Sequence, residues 1–165
     1  MHISLPLHIA IHFIIAVLAG LAVGFYFKKP WLGIIAGVMG GFLIDLDHVL
    51  EYFFIFGPHF DLSYFMEGRQ FLISNKIILI FHAWEYIPIL LGVAWLLRRR
   101  KNVSIFLLAL TFGGIVHLVS DSFLNNYPPR NYSIVYRASN DFSASVLLNS
   151  EQQRWYDELR QELGL

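Results

Sequence analysis

Four long apolar stretches, each interrupted by only a few polar residues, dominate the first 124 positions. They run from about Leu7 to Phe27, from Trp31 until the pattern fades between Leu50 and Phe56, from Ile77 to Leu97, and from Val103 to Phe123. A helix needs about 20 mostly apolar residues to cross a bilayer. Lipid tolerates only helices and closed barrels, because backbone polar groups must be satisfied internally. These runs are too long and continuous for barrel strands. The pattern therefore predicts an all-α fold, an integral membrane four-helix bundle over residues 1–124. Gly20 with Gly24, and Gly37 with Gly41, place small residues four apart, where helices approach closely. The first run lacks a small-residue cleavage signal behind it and is expected to be a retained span.

After the fourth run the pattern changes. Pro128 and Pro129 end the helix, and residues 125–165 are expected to form an outward-facing tail. Its middle is mixed and specifies no element. The segment SEQQRWYDELRQEL predicts a short amphipathic helix at the membrane interface or packed on the bundle, with a capping box from Ser150 and Gln153. Its apolar stripe is expected at Trp155, Leu159 and Leu163.

Composition narrows the classes. Hydrophobic residues make up 56% of the chain and mean hydropathy is +0.55, more than a soluble domain of this length needs. Formal net charge is zero, which argues against a nucleic-acid partner. Membrane lipid remains as environment and as substrate, and nothing speaks against a homo-oligomer. The absence of cysteine excludes thiolate metal sites, disulfides and a Cys nucleophile. Lys28, Lys29 and the run Arg98, Arg99, Arg100 and Lys101 follow the first and third stretches. Positive residues favour the cytoplasm, so both termini and the loop of residues 57–76 are expected outside. The expected setting is a bacterial or archaeal cytoplasmic membrane.

Against this background the polar residues inside the apolar runs stand out. They are His8 and His12, then Asp45, Asp47, His48 and Glu51, then His82 and Glu85, then His117 and Asp121. Ionisable groups in hydrocarbon cost several kcal/mol unless paired. His12, Asp45, Asp47, His82 and His117 each lie about four to six residues in from the outward end of their run, at ~1.5 Å per residue, and so share one thin layer. His117 and Asp121 are four apart, while His82 and Glu85, and Asp45 and His48, are three apart, spacings that share a helix face. Asp47 lies about 200° around an ideal helix from Asp45. Either it serves a second centre or the helix unwinds there, which Gly40 and Gly41 would ease.

Imidazole with carboxylate is ordinary ligand chemistry for zinc, and suits manganese or iron. A single intramembrane histidine is more often a helix–helix hydrogen-bonding residue. Seven or eight candidate ligands drawn from all four runs suggest two divalent ions, or one ion with a carboxylate orienting each histidine. His8 is expected at the interface, His2 and His59 in solvent, Glu51 in a structural role, and Asp61 and Glu67 on the loop surface.

The order of an early histidine, Ile44-Asp45-Leu46-Asp47-His48, a third-run histidine, then His117-Leu118-Val119-Ser120-Asp121 resembles the membrane-bound metal-dependent hydrolases of the YdjM type. A Gly-x-x-x-His-Leu-x-x-Asp element of that family is matched by Gly113, His117, Leu118 and Asp121. Its Leu-Pro-Asp-Ile-Asp-His element is matched at the end, with Leu43 and Ile44 where leucine and proline would stand. Its third-span His-Arg-Gly and Thr-His-Ser elements leave only His82, followed by Trp84 and Glu85. The likeness covers about residues 5–124 and implies a metal-dependent hydrolase. The ligand pattern is also similar to that of zinc-dependent phospholipase C, where His-x-x-x-Asp contributes to a multi-zinc site.

The expected function is hydrolysis of a lipid-borne ester or phosphoester by metal-activated water, from the outer-leaflet side. His12, Asp45, His82, His117 and Asp121 would bind the ion, and Asp47 and His48 would bind a second ion or brace the first. Glu85 would be the general base, and Arg130 or Arg69 would steady a phosphate. The rival readings are a divalent-metal or proton transporter, and a non-catalytic subunit stabilised by metal.

Overall fold

The computed structural model describes residues 5–165, so His2 lies outside the described residues. Ten α-helices follow in order among them: α1 (Leu5–Tyr26), α2 (Pro30–Gly41), α3 (Leu46–Phe56), α4 (Leu62–Met66), α5 (Arg69–Ser74), α6 (Tyr86–Leu96), α7 (Lys101–Leu124), α8 (Ile134–Ser139), α9 (Ala144–Leu147) and α10 (Ser150–Glu162). Short 3₁₀ turns cover Leu43–Asp45 and Pro129–Tyr132. No strand occurs among the described residues beyond an isolated bridge of Lys76 with Ser143, so the fold is all-α. Three segments are long and apolar enough to cross a membrane: Pro6–Tyr26, Pro30–Phe56 and Lys101–Leu124.

The third expected run departs from expectation. Helix begins at Tyr86, and the 11 residues of α6 reach about 16 Å, roughly half a bilayer core. Pro88 explains the late start. It has no N–H for a helix continuing upstream, and its ring would clash with the carbonyl four residues before it. It sits without penalty in the first turn of α6. The second run is also interrupted, at the turn Leu43–Asp45. Of the two alternatives for Asp45 and Asp47, local unwinding is the one seen.

The chain divides into two compact units. The first comprises residues 1–44 and 82–129, the second residues 45–81 and 130–165. In the first, α1, α2 and α7 pack against one another and α6 packs on α7. Glycines allow backbone-to-backbone approach at these crossings. A methyl group on Gly40 would overlap the Leu110 carbonyl, and one on Gly113 the Gly37 carbonyl. Gly20 and Gly37 likewise meet backbone of the opposing helix, as the small-residue spacing predicts.

In the second unit the helices are short, and buried charge replaces much of the apolar core. Leu72, Ala144 and Tyr156 form a small buried cluster, flanked by Ile77, Leu148 and Leu159. Tyr156 is the buried face of α10, while Trp155 is half exposed and Leu163 is exposed, so the stripe is Tyr156 and Leu159 rather than the one expected. The capping box is Asn149 with Gln152, one residue earlier than expected. Asn is as good an N-cap as Ser, and here its extended backbone lets Oδ1 reach the Gln152 N–H at 2.9 Å.

Residues 77–81 of this unit are irregular and pinned by charge. Glu51 accepts from the N–H groups of Ile78 and Leu79, each at 3.0 Å. Arg137, 1% exposed, donates to the carbonyls of the same two residues at 2.7 and 2.9 Å. Asp47 Oδ2 accepts from Phe81 N at 2.9 Å. Leu79 is held at φ +37°, a left-handed conformation that costs a branched side chain about 1–3 kcal/mol.

Candidate metal centre

The irregular stretch ends by entering the first unit at His82. Within that unit Trp84 Nε1 donates to the Pro129 carbonyl at 2.7 Å. His117 and Asp121 come from successive turns of α7, and His8 and His12 from successive turns of α1. His12, His82, His117 and Asp121 are all buried, at 0, 1, 0 and 4% exposure.

Their side chains converge on one carboxylate. Asp121 Oδ1 lies 3.1 Å from His12 Nε2 and 3.5 Å from His8 Nε2. Asp121 Oδ2 lies 3.4 Å from His117 Nε2 and 3.6 Å from His82 Nε2. The His82 and His117 Nε2 atoms are 3.0 Å apart. The His12 ring stands edge-on to His117 with centroids 4.1 Å apart, and beside His8 at 4.2 Å.

The tautomer of His117 follows from its other nitrogen. Nδ1 lies 3.0 Å from the Gly41 carbonyl oxygen. A carbonyl can only accept, so Nδ1 carries the hydrogen and the neutral ring presents a lone pair at Nε2. Gly41 ends α2, so its carbonyl is among those a helix terminus leaves available. A ring whose far nitrogen is tied to a backbone carbonyl is the usual arrangement of a metal-ligating histidine. That lone pair faces a second imidazole and a carboxylate oxygen, donors that a cation could join.

A divalent ion fits these residues. The donor atoms of His82, His117 and Asp121 form a triangle with edges of 3.0, 3.4 and 3.6 Å. An ion at the usual ~2.0–2.1 Å from each would sit just off its plane, as three corners of a tetrahedron require. These buried histidines and Asp121 therefore make up a group that could hold a metal ion.

Of the candidates read from the sequence, His12, His82, His117 and Asp121 come together in the first unit. His8, expected at the interface and not as a ligand, lies beside them with Nε2 3.5 Å from Asp121, and the four-residue step to His12 was the available signal. Asp45, Asp47 and His48 belong to the second unit. Asp45 Oδ1 is 3.9 Å from His48 Nε2, while Asp47 meets the Phe81 backbone. Glu85 is half-buried at the residue preceding α6. Arg130 is exposed and lies over the Tyr136 ring at 5.7 Å, whereas Arg69 is bound to Glu67 at 2.6 Å. His59 is exposed, and Asp61 caps α4 through Ser63 and Tyr64. Comparison with protein-family models, curated proteins and solved structures finds no match.

Proposed function

We propose that the protein is a membrane-embedded, metal-dependent hydrolase of a lipid-borne ester or phosphoester, of the YdjM type its motifs resemble. The observation that carries this reading is the convergence of imidazole Nε2 atoms on Asp121, with His117 preset as a ligand by the Gly41 carbonyl. Zinc suits this donor set best, and manganese or iron would also be accepted. The bound ion supplies a water acidified towards neutrality. Glu85 would take a proton from that water and return it to the leaving oxygen.

Transport is the weaker reading. The only acidic, basic or imidazole side chains of α1 are His8 and His12, in its first two turns, and beyond Lys101 those of α7 are His117 and Asp121, in its last two. A conduction path would need polar groups along the remaining length. Their confinement to one end suits a site reached from one face, which the basic residues after the first and third runs assign to the outside.

The test is metal content of the purified full chain, with release of product from phospholipid and polyprenyl phosphate vesicles with and without chelator. Chelator-sensitive turnover is expected. His117→Ala should abolish it, and Glu85→Gln should lower it ~100-fold with metal retained. A metal-loaded protein that hydrolyses neither lipid class overturns the reading.

A further inference from the structure

Asp121 divides its two oxygens between two pairs of imidazoles. Oδ1 faces His8 and His12, both from α1, and Oδ2 faces His82 and His117. Each pair with its own oxygen forms a trio whose donor atoms lie within 4.8 Å of one another. A single ion at ~2.0–2.1 Å from its ligands would draw the nitrogens towards one oxygen. The split between oxygens is the arrangement of a carboxylate shared by two ions. Burial supports it, since His12, His82, His117 and Asp121 are each at most 4% exposed, and polar groups so placed require partners.

We infer that Asp121 bridges two divalent cations, one held by His8 and His12 and the other by His82 and His117. Two cations ~3.5–4 Å apart clamp the attacking and leaving oxygens of an in-line displacement at phosphorus. The pair therefore selects a phosphoester over a carboxylic ester, a narrowing that rests on the hydrolase reading above. In that reaction the water oxygen bonds to phosphorus, the P–O ester bond breaks, and a proton passes to the released oxygen. No redox partner is required.

The test is stoichiometry on the purified full chain, stripped with chelator and titrated with Mn²⁺. Two equivalents and a spin-coupled paramagnetic resonance spectrum are expected. One equivalent, or two with an uncoupled six-line spectrum, overturns the bridge without recourse to any variant. His8→Ala should then bind half as much Mn²⁺, and a His8→Ala protein still binding two equivalents overturns the assignment of His8. Turnover separates the two claims. Two coupled ions without phosphoester hydrolysis leave the dinuclear site standing and remove the hydrolase, whereas hydrolysis at one equivalent removes the bridge and leaves the hydrolase.

Discussion

Two clusters of buried charge occupy the two units, and they are built on opposite logics. Around residues 78–81, carboxylates meet backbone N–H groups and a guanidinium meets backbone carbonyls: Glu51 and Asp47 accept, and Arg137 donates. Around Asp121, side chains meet side chains, and a lone-pair nitrogen of His117 looks at a carboxylate oxygen. The first arrangement holds an irregular chain in place. The second is a set of donors that could hold a cation. Burial alone does not distinguish them, since Arg137 and His82 are equally inaccessible; the polarity of what each atom faces does.

The largest effect expected from this contrast is on Asp121. Asp121→Asn keeps the shape but removes the charge that both imidazole pairs face, and turnover should fall about a thousandfold or more as metal is lost. Thermal unfolding in detergent with metal removed should change little, because the charge has no backbone partner to abandon. If Asp121→Asn instead unfolds the chain while metal content holds, the two clusters do not differ in kind. Arg137→Met is the mirror experiment. Removing one member of a buried charged frame strands the carbonyls of Ile78 and Leu79 and takes a positive charge from the neighbourhood of Glu51, at about 3–5 kcal/mol. The measurement is the unfolding midpoint of the full chain, and an unchanged midpoint would contradict the structural role given to the frame.

The contrast also explains how much was legible in the sequence. Ligand types, their confinement to one end of each run, and the four-residue steps on α1 and α7 are local features, so His12, His117 and Asp121 could be read directly. His82 was legible as a residue but not as part of an irregular stretch, because Pro88, which delays the helix, lies inside an otherwise continuous apolar run. The frame carried almost no local signal. Glu51 and its backbone partners lie 27 and 28 residues apart, and Arg137 sits in a mixed tail with no periodicity to mark it as buried. Pairings over such distances are set by tertiary packing, which composition and spacing do not encode.

A smaller effect is expected from the packing that brings the histidines together. Gly40→Ala places a methyl group against the Leu110 carbonyl, backbone that cannot swing aside as a side chain would. Overpacking of this kind costs about 1–3 kcal/mol. Because α2 also presents the Gly41 carbonyl to His117, the shift should weaken metal affinity as well as stability. A Gly40→Ala protein of lowered midpoint and unaltered Mn²⁺ affinity would separate helix packing from site geometry.

The smallest effect serves as the control for the whole comparison. Asn149 caps α10 in the second unit, accepting from Glu151 and Gln152 N–H groups while its own N–H is taken by the Gln152 side chain. Asn149→Ala removes these acceptor contacts at about 1 kcal/mol. Hydrogen exchange should quicken in α10, and around Phe71 and Leu72, whose carbonyls accept from Tyr156 and Arg160 of that helix. Metal content and turnover should stay at wild-type levels, since no ligand named here lies on α10. A loss of turnover out of proportion to so small a destabilisation would mean that the tail contributes directly to the chemistry, and the division between a unit that holds and a unit that reacts would have to be redrawn.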